Sequence, residues 1–489
     1  MTQECTLLRR IYKPLLLSAS VLSLAACSTN AATGRSQFAG LMSPQQEKQV
    51  GASEHENIVK QYGLYKDAKL QAYVDSVGAR IAKDTERSDV QYKFFIIDSP
   101  IVNAFALPGG YVYVSRGLLA LANSEAELAG VMAHEVGHVT ARHSAERYSH
   151  GVVTSLGAAV LSAAVGKQGV SQALSVGGNL YMSSYSRSQE NEADSLGIRY
   201  LSRGSYDPRA MSFFLSSLQA QSALDSAISG DAQGFSYFST HPATSDRVAK
   251  TQGEATQFPP GGDWGREKHF DMISGMTYGD SAEQGFARGN TFYHPSMRFA
   301  FDVPNGFEIV NQPTQVIAAS KSTGAIMAFD LVSSQGFSDP SAYLTQQWLK
   351  GEGDIRGLQK ITVNGMKGAT AEFSGTVNNR AATIRLIAIQ WSADKYARFQ
   401  IAIPQGSSAS LVEALKTASY SFRRLSEKEA GALKPDHIRI VTAKAGDTLS
   451  SLAAKQSFPS HREEHFRVLN GLKPGEAVQA GGVYKIVTH

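Results

Sequence analysis

The amino-acid sequence predicts a multidomain protein whose parts belong to different fold classes. Apolar residues at helical spacing predict a mainly α-helical domain with a small β-hairpin over residues 43–270. Short alternating strands predict an α+β domain with an antiparallel sheet over residues 291–425. A charged linker separates these domains from a small C-terminal module over residues 437–489.

The composition is that of an ordinary globular protein. Hydrophobic residues make up 42% and charged residues 18% of the 489 residues, and the formal net charge is +4. There is no basic run interleaved with aromatic residues, which excludes nucleic acid as an expected partner. Residues 252–289 are rich in Gly, Pro and Asp, and residues 426–436 are rich in charge. Linkers are therefore predicted at residues 271–290 and 426–436.

The N-terminus has the pattern of a targeting segment. Three basic residues precede a short apolar run, which ends in Leu-Ala-Ala-Cys: Arg9, Arg10, Lys13 and residues 15–27. This pattern resembles the lipobox of bacterial lipoproteins. The resemblance implies a signal peptide over residues 1–26, a lipid on Cys27 and a polar tether over residues 27–42. With Ser28 after the cysteine, it also implies the periplasmic face of a Gram-negative outer membrane. A plain secretory signal with an incidental cysteine is the alternative.

Residues 134–138 read His-Glu-Val-Gly-His on a helix with a clear start. Ser124 followed by Glu127 predicts a capping box. His134 and His138 are four residues apart, so they share one helix face and can bind one Zn²⁺ with coordination positions left open. Glu135 lies beside them and can act as a base. Two histidines on a helix are usually ordinary surface or core residues, but Glu135 between them favours a metal site.

A later helix provides carboxylates for the same site. Glu190 and Asp194 are four residues apart and share a helix face. Glu190 is predicted to be the third zinc ligand, and Asp194 is predicted to accept the ring N–H of His134 or His138. Glu192 points away from this face and is predicted to be solvated. An ordinary charged amphipathic helix is the alternative.

The order His134-Glu135-x-x-His138, followed by Glu190-x-x-Ala193-Asp194, resembles the zinc metalloendopeptidases of family M48, and among them the periplasmic lipoprotein type. The resemblance implies a zincin-type metalloprotease domain with one Zn²⁺ per chain and Glu135 as general base. It also implies unfolded or mis-assembled envelope proteins as substrates and the outer-membrane assembly machinery as a partner.

The same resemblance implies roles for two further residues. His241 is expected near the metal, where it either gates the site or stabilises the tetrahedral intermediate. Arg247 is expected to pin the region around His241. His143 is one residue out of register with the third histidine of another zincin type, so it is predicted to be structural or on the surface.

The segment before the metal-binding helix predicts a hairpin or kinked edge strand over residues 103–114. An edge strand beside a metal site can pair with an extended peptide. Asn103, Ala104, Gly109 and Gly110 are therefore candidate substrate-binding residues, and a purely structural hairpin is the alternative. Residues 151–178 predict either a helix against the core or a mobile loop over the cleft.

The C-terminal module resembles a LysM module, because a Gly-Asp-Thr-Leu turn at residues 446–449 follows its first strand. The resemblance implies a small βααβ fold and peptidoglycan binding through residues 437–489, and a role in packing or protein contacts is the alternative. Other functions therefore stay open, namely a non-hydrolytic periplasmic assembly factor or chaperone, or a peptidoglycan-binding scaffold. The presence of Glu135 favours the enzyme, since a structural metal site needs no base.

Overall fold

The computed structural model describes residues 27–153, 184–229, 237–242, 245–350 and 354–489. The chain forms two compact units. The first contains the chain up to Tyr278 together with His437–Thr488, and the second contains Gly279–Asp436 with His489. The predicted signal peptide and most of the segment 151–178 lie outside the described residues.

The first unit is mainly helical, in agreement with the sequence. Its helices are α1 (Pro44–Tyr62), α2 (Ala68–Ala82), α3 (Arg116–Leu121), α4 (Glu125–Thr140), α5 (Arg187–Arg203), α6 (Ala210–Ser229), α7 (Tyr237–Thr240), α8 (Ser245–Ala255) and α9 (Arg266–Ile273). Its strands before the second unit are β1 (Cys27–Thr29), β2 (Ser36–Phe38), β3 (Lys93–Ile97), β4 (Ala104–Leu107), β5 (Tyr111–Ser115) and β6 (Thr277–Tyr278). Within the described ranges, no helix has the length and apolar character needed to cross a bilayer.

Helix α4 lies at the centre of this unit, and every one of its residues is buried. The predicted capping box forms only in part. Ser124 accepts a hydrogen bond from the Glu127 backbone, but the Glu127 carboxylate accepts from the Asn123 backbone, one residue before the cap. Because α4 is covered on all sides, its polar side chains depend on partners within the protein.

The predicted hairpin is confirmed as β4 and β5, which pair antiparallel within a three-stranded sheet of order β3-β5-β4. Strand β4 is therefore at the edge of the sheet. The turn between the strands uses two glycines with positive φ, +79° at Gly109 and +95° at Gly110. A Cβ at Gly109 would lie 2.9 Å from Cα of Lys48 in α1, so both the backbone conformation and the packing require glycine there.

The segment predicted to be a polar tether is instead packed onto the domain. Strands β1 and β2 form a two-stranded antiparallel pair. Asn30 between them is buried and donates to the Thr140 carbonyl at the end of α4. Arg35 contacts glutamates on other elements. The polar composition predicted a tether in solvent, but these polar groups instead form hydrogen bonds and ion pairs with other residues of the first unit.

The second unit contains the predicted antiparallel sheet. Seven strands pair in the order β10-β11-β12-β16-β15-β14-β13, and a four-stranded sheet has the order β17-β9-β8-β7. The strands are β7 (Phe286–Arg288), β8 (Thr291–His294), β9 (Phe299–Asp302), β10 (Glu308–Gln312), β11 (Gln315–Ala319), β12 (Ile326–Ser333), β13 (Arg356–Val363), β14 (Met366–Val377), β15 (Arg380–Gln390), β16 (Lys395–Pro404) and β17 (Arg423–Arg424).

Helical segments complete the second unit. They are α10 (Pro340–Ala342), a wider turn with i→i+5 hydrogen bonds over Tyr343–Trp348, α11 (Ala409–Tyr420) and α12 (Glu427–Ala432). Leu415 of α11 and Phe399 of β16 share one apolar core, whereas Leu344 and Leu386 belong to a separate core. The segments predicted to be linkers are not structureless, because they contain β6, β7 and α12.

The C-terminal segment has the predicted order, with β18 (Asp436–Thr442), α13 (Leu449–Ala453), α14 (Arg462–Leu469) and β19 (Val483–Thr488). It packs within the first unit, where β18 lies between β19 and β6. The Lys485 ammonium is fully buried and donates to the carbonyls of Ala120, Leu121 and Ala122 at the end of α3. Carbonyls at a helix C-terminus lack partners within the helix, so this lysine satisfies them. The resemblance to LysM remains a prediction.

Candidate metal centre

Helix α4 presents two imidazoles to the same point, as the spacing of the histidines predicts. The Nε2 atoms of His134 and His138 lie 3.0 Å apart, and the ring centroids lie 4.7 Å apart. Both side chains are almost fully buried. Their Nε2 atoms point toward each other, and their Nδ1 atoms point toward other partners in the protein.

Helix α5 brings a carboxylate to this point. Its Ser186 and Gln189 form a reciprocal capping box, which fixes the first turn and places Glu190 in it. Oε1 of Glu190 lies 3.4 Å from Nε2 of His138, and Oε2 lies 3.7 Å from Nε2 of His134. Although burial raises the pKa of Glu190, the neighbouring histidines lower it more, so the carboxylate is the favoured form.

His241 completes a group of four donors. It follows α7, and its Nδ1 lies 3.0 Å from Glu190 Oε1 and 3.3 Å from His134 Nε2. His134, His138, Glu190 and His241 each offer an atom within 4.8 Å of the others, and all four residues are buried. The Tyr237 ring stacks on His241 with centroids 4.4 Å apart, so the imidazole is held in this position.

Asp194 and Arg247 support the first imidazole and the carboxylate. Oδ1 of Asp194 lies 2.8 Å from Nδ1 of His134. The sequence left His134 and His138 as alternative partners of Asp194, and the structure pairs Asp194 with His134. Arg247 donates to both oxygens of Asp194 at 2.8 Å, and its Nη1 lies 2.8 Å from Glu190 Oε2. One guanidinium thus fixes two carboxylates, whereas the role expected for Arg247 in pinning the region around His241 stays a prediction.

The second imidazole has a different environment, which the sequence did not predict. Nδ1 of His138 lies 2.8 Å from Nδ1 of His143, and Nε2 of His143 lies 2.8 Å from Oε2 of Glu192. The prediction that Glu192 is solvated is therefore wrong. The helical wheel correctly placed it away from Glu190, but that side of α5 is covered by His143 and by Arg35. His143 itself is fully buried.

Glu135 is the buried carboxylate beside the donor group. It is fully buried, and neither of its oxygens has a hydrogen-bond partner among the described residues. Its Oε1 lies 3.4 Å from Nε2 of His241. Burial raises the pKa of Glu135. Burying a neutral polar group without a hydrogen bond costs roughly 2–7 kcal/mol, and burying an ionised carboxylate costs more, so a cation bound beside Glu135 would stabilise it.

The donor set fits a zinc ion. Donors around one tetrahedral Zn²⁺ lie about 3.3–3.6 Å from one another, given metal–ligand distances of about 2.0–2.2 Å. The observed separations of 3.0, 3.3, 3.4 and 3.7 Å among the imidazole and carboxylate atoms lie close to that spacing. Two or three imidazoles with a carboxylate are also donors that zinc prefers.

Comparison with known proteins agrees with this geometry. Residues 68–255, which contain all four donors, match the family described as peptidase family M48. Residues 68–255 are an M48 peptidase domain. The resemblance predicted from the two short motifs is thereby confirmed over these residues.

The chain is also similar to several named proteases. The beta-barrel assembly-enhancing protease of Escherichia coli (strain K12) is 32% identical over 224 residues, which are 44% of this chain and 45% of the relative. That of Yersinia pestis is 31% identical over 40% of this chain and 41% of the relative. The mitochondrial metalloendopeptidase OMA1 of Schizosaccharomyces pombe is 30% identical over 42% of this chain and 60% of the relative. The match thus spans less than half the length of these two bacterial relatives.

The predicted substrate-binding residues lie on the edge hairpin of the M48 domain. Asn103 and Ala104 are buried, and Ala104 pairs with Val114 across β4 and β5. Gly109 and Gly110 lie in the turn, where their positive φ and tight packing account for both glycines without a substrate. Strand β4 is at the edge of its sheet, where a peptide could pair with it, but all four of its residues are buried.

Sequence reasoning missed an aromatic residue in the M48 domain. The Tyr185 ring stacks on His138 with centroids 3.7 Å apart, and the guanidinium of Arg147 lies 3.8 Å from the centre of the tyrosine ring. This residue is buried just before α5. A lone tyrosine between a small-residue segment and a helix has no local pattern that signals such a contact.

Proposed function

We propose that this protein is a zinc-dependent endopeptidase of the bacterial envelope. The supporting observation is the group of buried donors, His134, His138, Glu190 and His241, with the Glu135 carboxylate beside it, which accepts no hydrogen bond from the described residues. A structural metal site needs donors alone. A carboxylate held beside the donors, with its pKa raised by burial, is suited to accept and return a proton near neutral pH.

When bound, zinc supplies a Lewis acid that polarises a carbonyl and makes water nucleophilic at neutral pH. Glu135 takes the proton of the attacking water and delivers it to the leaving amine. Asp194 accepts from Nδ1 of His134, which leaves Nε2 of that ring free to bind the metal. Arg247 holds Asp194 and Glu190 in their charged forms and fixed orientation.

His241 acts as a gate in this proposal. Its Nδ1 belongs to the donor group, so it takes the position that a water or a substrate carbonyl needs. Rotation of this side chain frees that position. The alternative, a hydrogen bond to the tetrahedral intermediate, requires the same rotation away from Glu190, so the two roles can follow one another.

An extended peptide is the proposed form of the substrate. It would pair with the edge strand β4, whose first residue Ala104 follows Asn103 near the metal-binding helix. Strand pairing reads the backbone and needs an unfolded segment, which suits unfolded or mis-assembled envelope proteins. The bacterial relatives named beta-barrel assembly-enhancing protease support this substrate class and the assembly machinery as a partner.

The proposed location is the periplasmic face of the outer membrane, with a lipid on Cys27 and cleavage after residue 26. The lipobox-like sequence before Cys27 supports the anchor, and the bacterial relatives support a Gram-negative envelope. Metabolic labelling with a fatty acid tests the anchor. Label in the wild type and in Cys27→Ala alike would overturn it.

The C-terminal segment is proposed first as a packing element of the first unit, because the buried Lys485 ammonium caps α3. Peptidoglycan binding is a second proposed role, for which the exposed turn around Asp447 is available. Deleting residues 437–489 would disturb the core, so substitution is the better test. Peptidoglycan pull-down that is unchanged in Gly446→Asp with Thr448→Arg would count against a glycan role for this turn.

Casein cleavage by the purified full chain tests the enzyme. The wild type should cleave casein and lose activity with a chelator, and zinc should restore it. Glu135→Gln should keep its zinc, since Glu135 is not among the donors, yet lose at least about 10²-fold in rate. Equal cleavage by both proteins would remove the endopeptidase proposal and favour an assembly factor with a structural metal.

A further inference from the structure

A chain of polar contacts runs from the metal centre to the N-terminal segment. It starts at Nδ1 of His138, which lies 2.8 Å from Nδ1 of His143. Nε2 of His143 lies 2.8 Å from Oε2 of Glu192, and Nε of Arg35 donates to the same carboxylate at 3.2 Å. His143 is fully buried, whereas the Arg35 side chain is 38% exposed. The chain therefore connects the buried donors with the surface.

The order of donors along this chain is fixed by the metal ligand. If Nε2 of His138 binds a metal, its Nδ1 keeps the proton and donates it. Nδ1 of His143 must then accept, which leaves the proton of His143 on Nε2 and directs it to the Glu192 carboxylate. Arg35, as a permanent donor, keeps that carboxylate oriented as an acceptor. Every member has one consistent role.

The same arginine also holds the second metal-binding helix. Nη1 and Nη2 of Arg35 donate to the two oxygens of Glu146 at 2.9 and 2.8 Å. Glu146 in turn accepts from Nε2 of Gln189 at 2.9 Å, and Gln189 caps the first turn of α5, next to Glu190. One residue of the N-terminal segment thus supports the positions of His138 and Glu190 together.

We propose that His143, Glu192 and Arg35 form a positioning relay that holds the ring of His138 toward the metal, and that the segment after Cys27 is therefore a working part of the metal site. This inference rests on the proposed zinc site. His134 is held by a single carboxylate, Asp194, whereas His138 is held by an imidazole and a carboxylate in series. The three relay members are positioning residues, because none of them touches the metal position.

Zinc affinity and ring geometry test the relay without relying on activity. The full chain, purified in detergent, is titrated with zinc against a chelator of known affinity. Its cobalt-substituted form gives an absorption spectrum that reports the ligand geometry. His143→Leu and Glu192→Gln should each weaken zinc binding about 10–100-fold and shift the cobalt spectrum. His143→Gln carries an acceptor and a donor, so it should bind zinc more tightly than His143→Leu.

Matched controls separate the relay from general effects. His461→Ala changes an exposed histidine in the C-terminal segment, and Arg203→Ala removes an arginine of similar exposure on α5. Both should bind zinc as the wild type does. Arg35→Ala should weaken binding by less than Glu192→Gln but clearly more than Arg203→Ala.

The outcomes distinguish this inference from the proposed function. A wild type that binds no zinc would overturn both. Tight zinc binding by the wild type, with unchanged affinity and spectrum in His143→Leu and Glu192→Gln, would overturn the relay alone. Should His143→Leu fail to fold, Glu192→Gln and Arg35→Ala decide instead, since both change partly exposed side chains. Equal affinity of those two variants and the wild type would then overturn the relay.

Discussion

Nδ1 of His134 lies 2.8 Å from Oδ1 of Asp194, and both side chains are about 1% exposed. Although burial lowers the pKa of His134, Asp194 and Glu190 raise it more, so the net pKa lies above its usual value in the protein without metal. For Asp194 the effects are opposite: burial raises its pKa, but His134 and Arg247 lower it more, so the net pKa lies below its usual value. The carboxylate therefore stays charged and keeps the ring in place.

Replacing this carboxylate by an amide should weaken the metal site. In Asp194→Asn the charge that favours the His134 Nδ1–H donor is lost, and we expect zinc affinity to fall about 10–100-fold. Chelator competition measures it. Asp271→Asn, an exposed change on α9, is the control and should leave affinity unchanged. Equal affinities of Asp194→Asn and the wild type would contradict the supporting role of Asp194.

Removing the gate should increase activity. In His241→Ala, the donors His134, His138 and Glu190 remain, so zinc should be retained, with affinity reduced by about tenfold or less. The freed position should raise the rate of casein cleavage severalfold. Zinc content measured on the same sample is the control. A lower rate with zinc retained would instead assign His241 to stabilisation of the intermediate.

Lys485 should be essential for stability, although it is far in sequence from the helix that it caps. Burial lowers its pKa well below the usual value, and Glu127 opposes that effect. In Lys485→Met, the carbonyls of Ala120 and Ala122 lose this donor, while that of Leu121 keeps the Asn123 amide. The loss should cost on the order of 3 kcal/mol in the free energy of unfolding. Urea denaturation measures this cost. Lys473→Met, an exposed change in the same segment, should unfold as the wild type does; a similar loss in both variants would argue against the capping role.

His269 should make the first unit sensitive to acid. It is fully buried, with Nδ1 2.9 Å from the Tyr73 hydroxyl and Nε2 3.1 Å from the Leu119 carbonyl. Burial, together with the positive charge of Lys485, lowers its pKa from 6.5 to about 3. The unfolded chain therefore takes up the proton first. The stabilising contribution of neutral His269 is complete above pH 6.5 and is lost as the pH falls toward 3. At pH 5 the loss is about 2 kcal/mol in the free energy of unfolding.

Urea denaturation at pH 7.5 and pH 5, with a chelator present to exclude metal release, measures this effect. His269→Gln can donate to the same carbonyl but does not titrate, so its stability should change less between the two conditions. His461→Gln, an exposed substitution, should keep the wild-type pH dependence. If His269→Gln loses as much stability at pH 5 as the wild type, other groups cause the acid sensitivity.

Local sequence determined the elements that carry the site. The spacing of His134 and His138 on a capped helix placed two imidazoles on one face, because a helix repeats every 3.6 residues. The spacing of Glu190 and Asp194 did the same for two carboxylates on α5. Alternation of apolar residues also predicted the antiparallel sheet of the second unit, and its confirmed strands follow that pattern.

Tertiary structure decided which faces are covered and which partners meet. The helical wheel gave the direction of Glu192, but only the fold shows that Arg35 and His143 lie there, from segments 157 and 49 residues away in sequence. The fold also determines that the Lys485 ammonium donates to the end of α3, and that the segment after Cys27 packs onto the domain. Such contacts depend on long-range packing, which the local repeat of a helix or strand does not encode. The sequence therefore determined the donors of the metal centre, and only the fold determined which residues hold them in place.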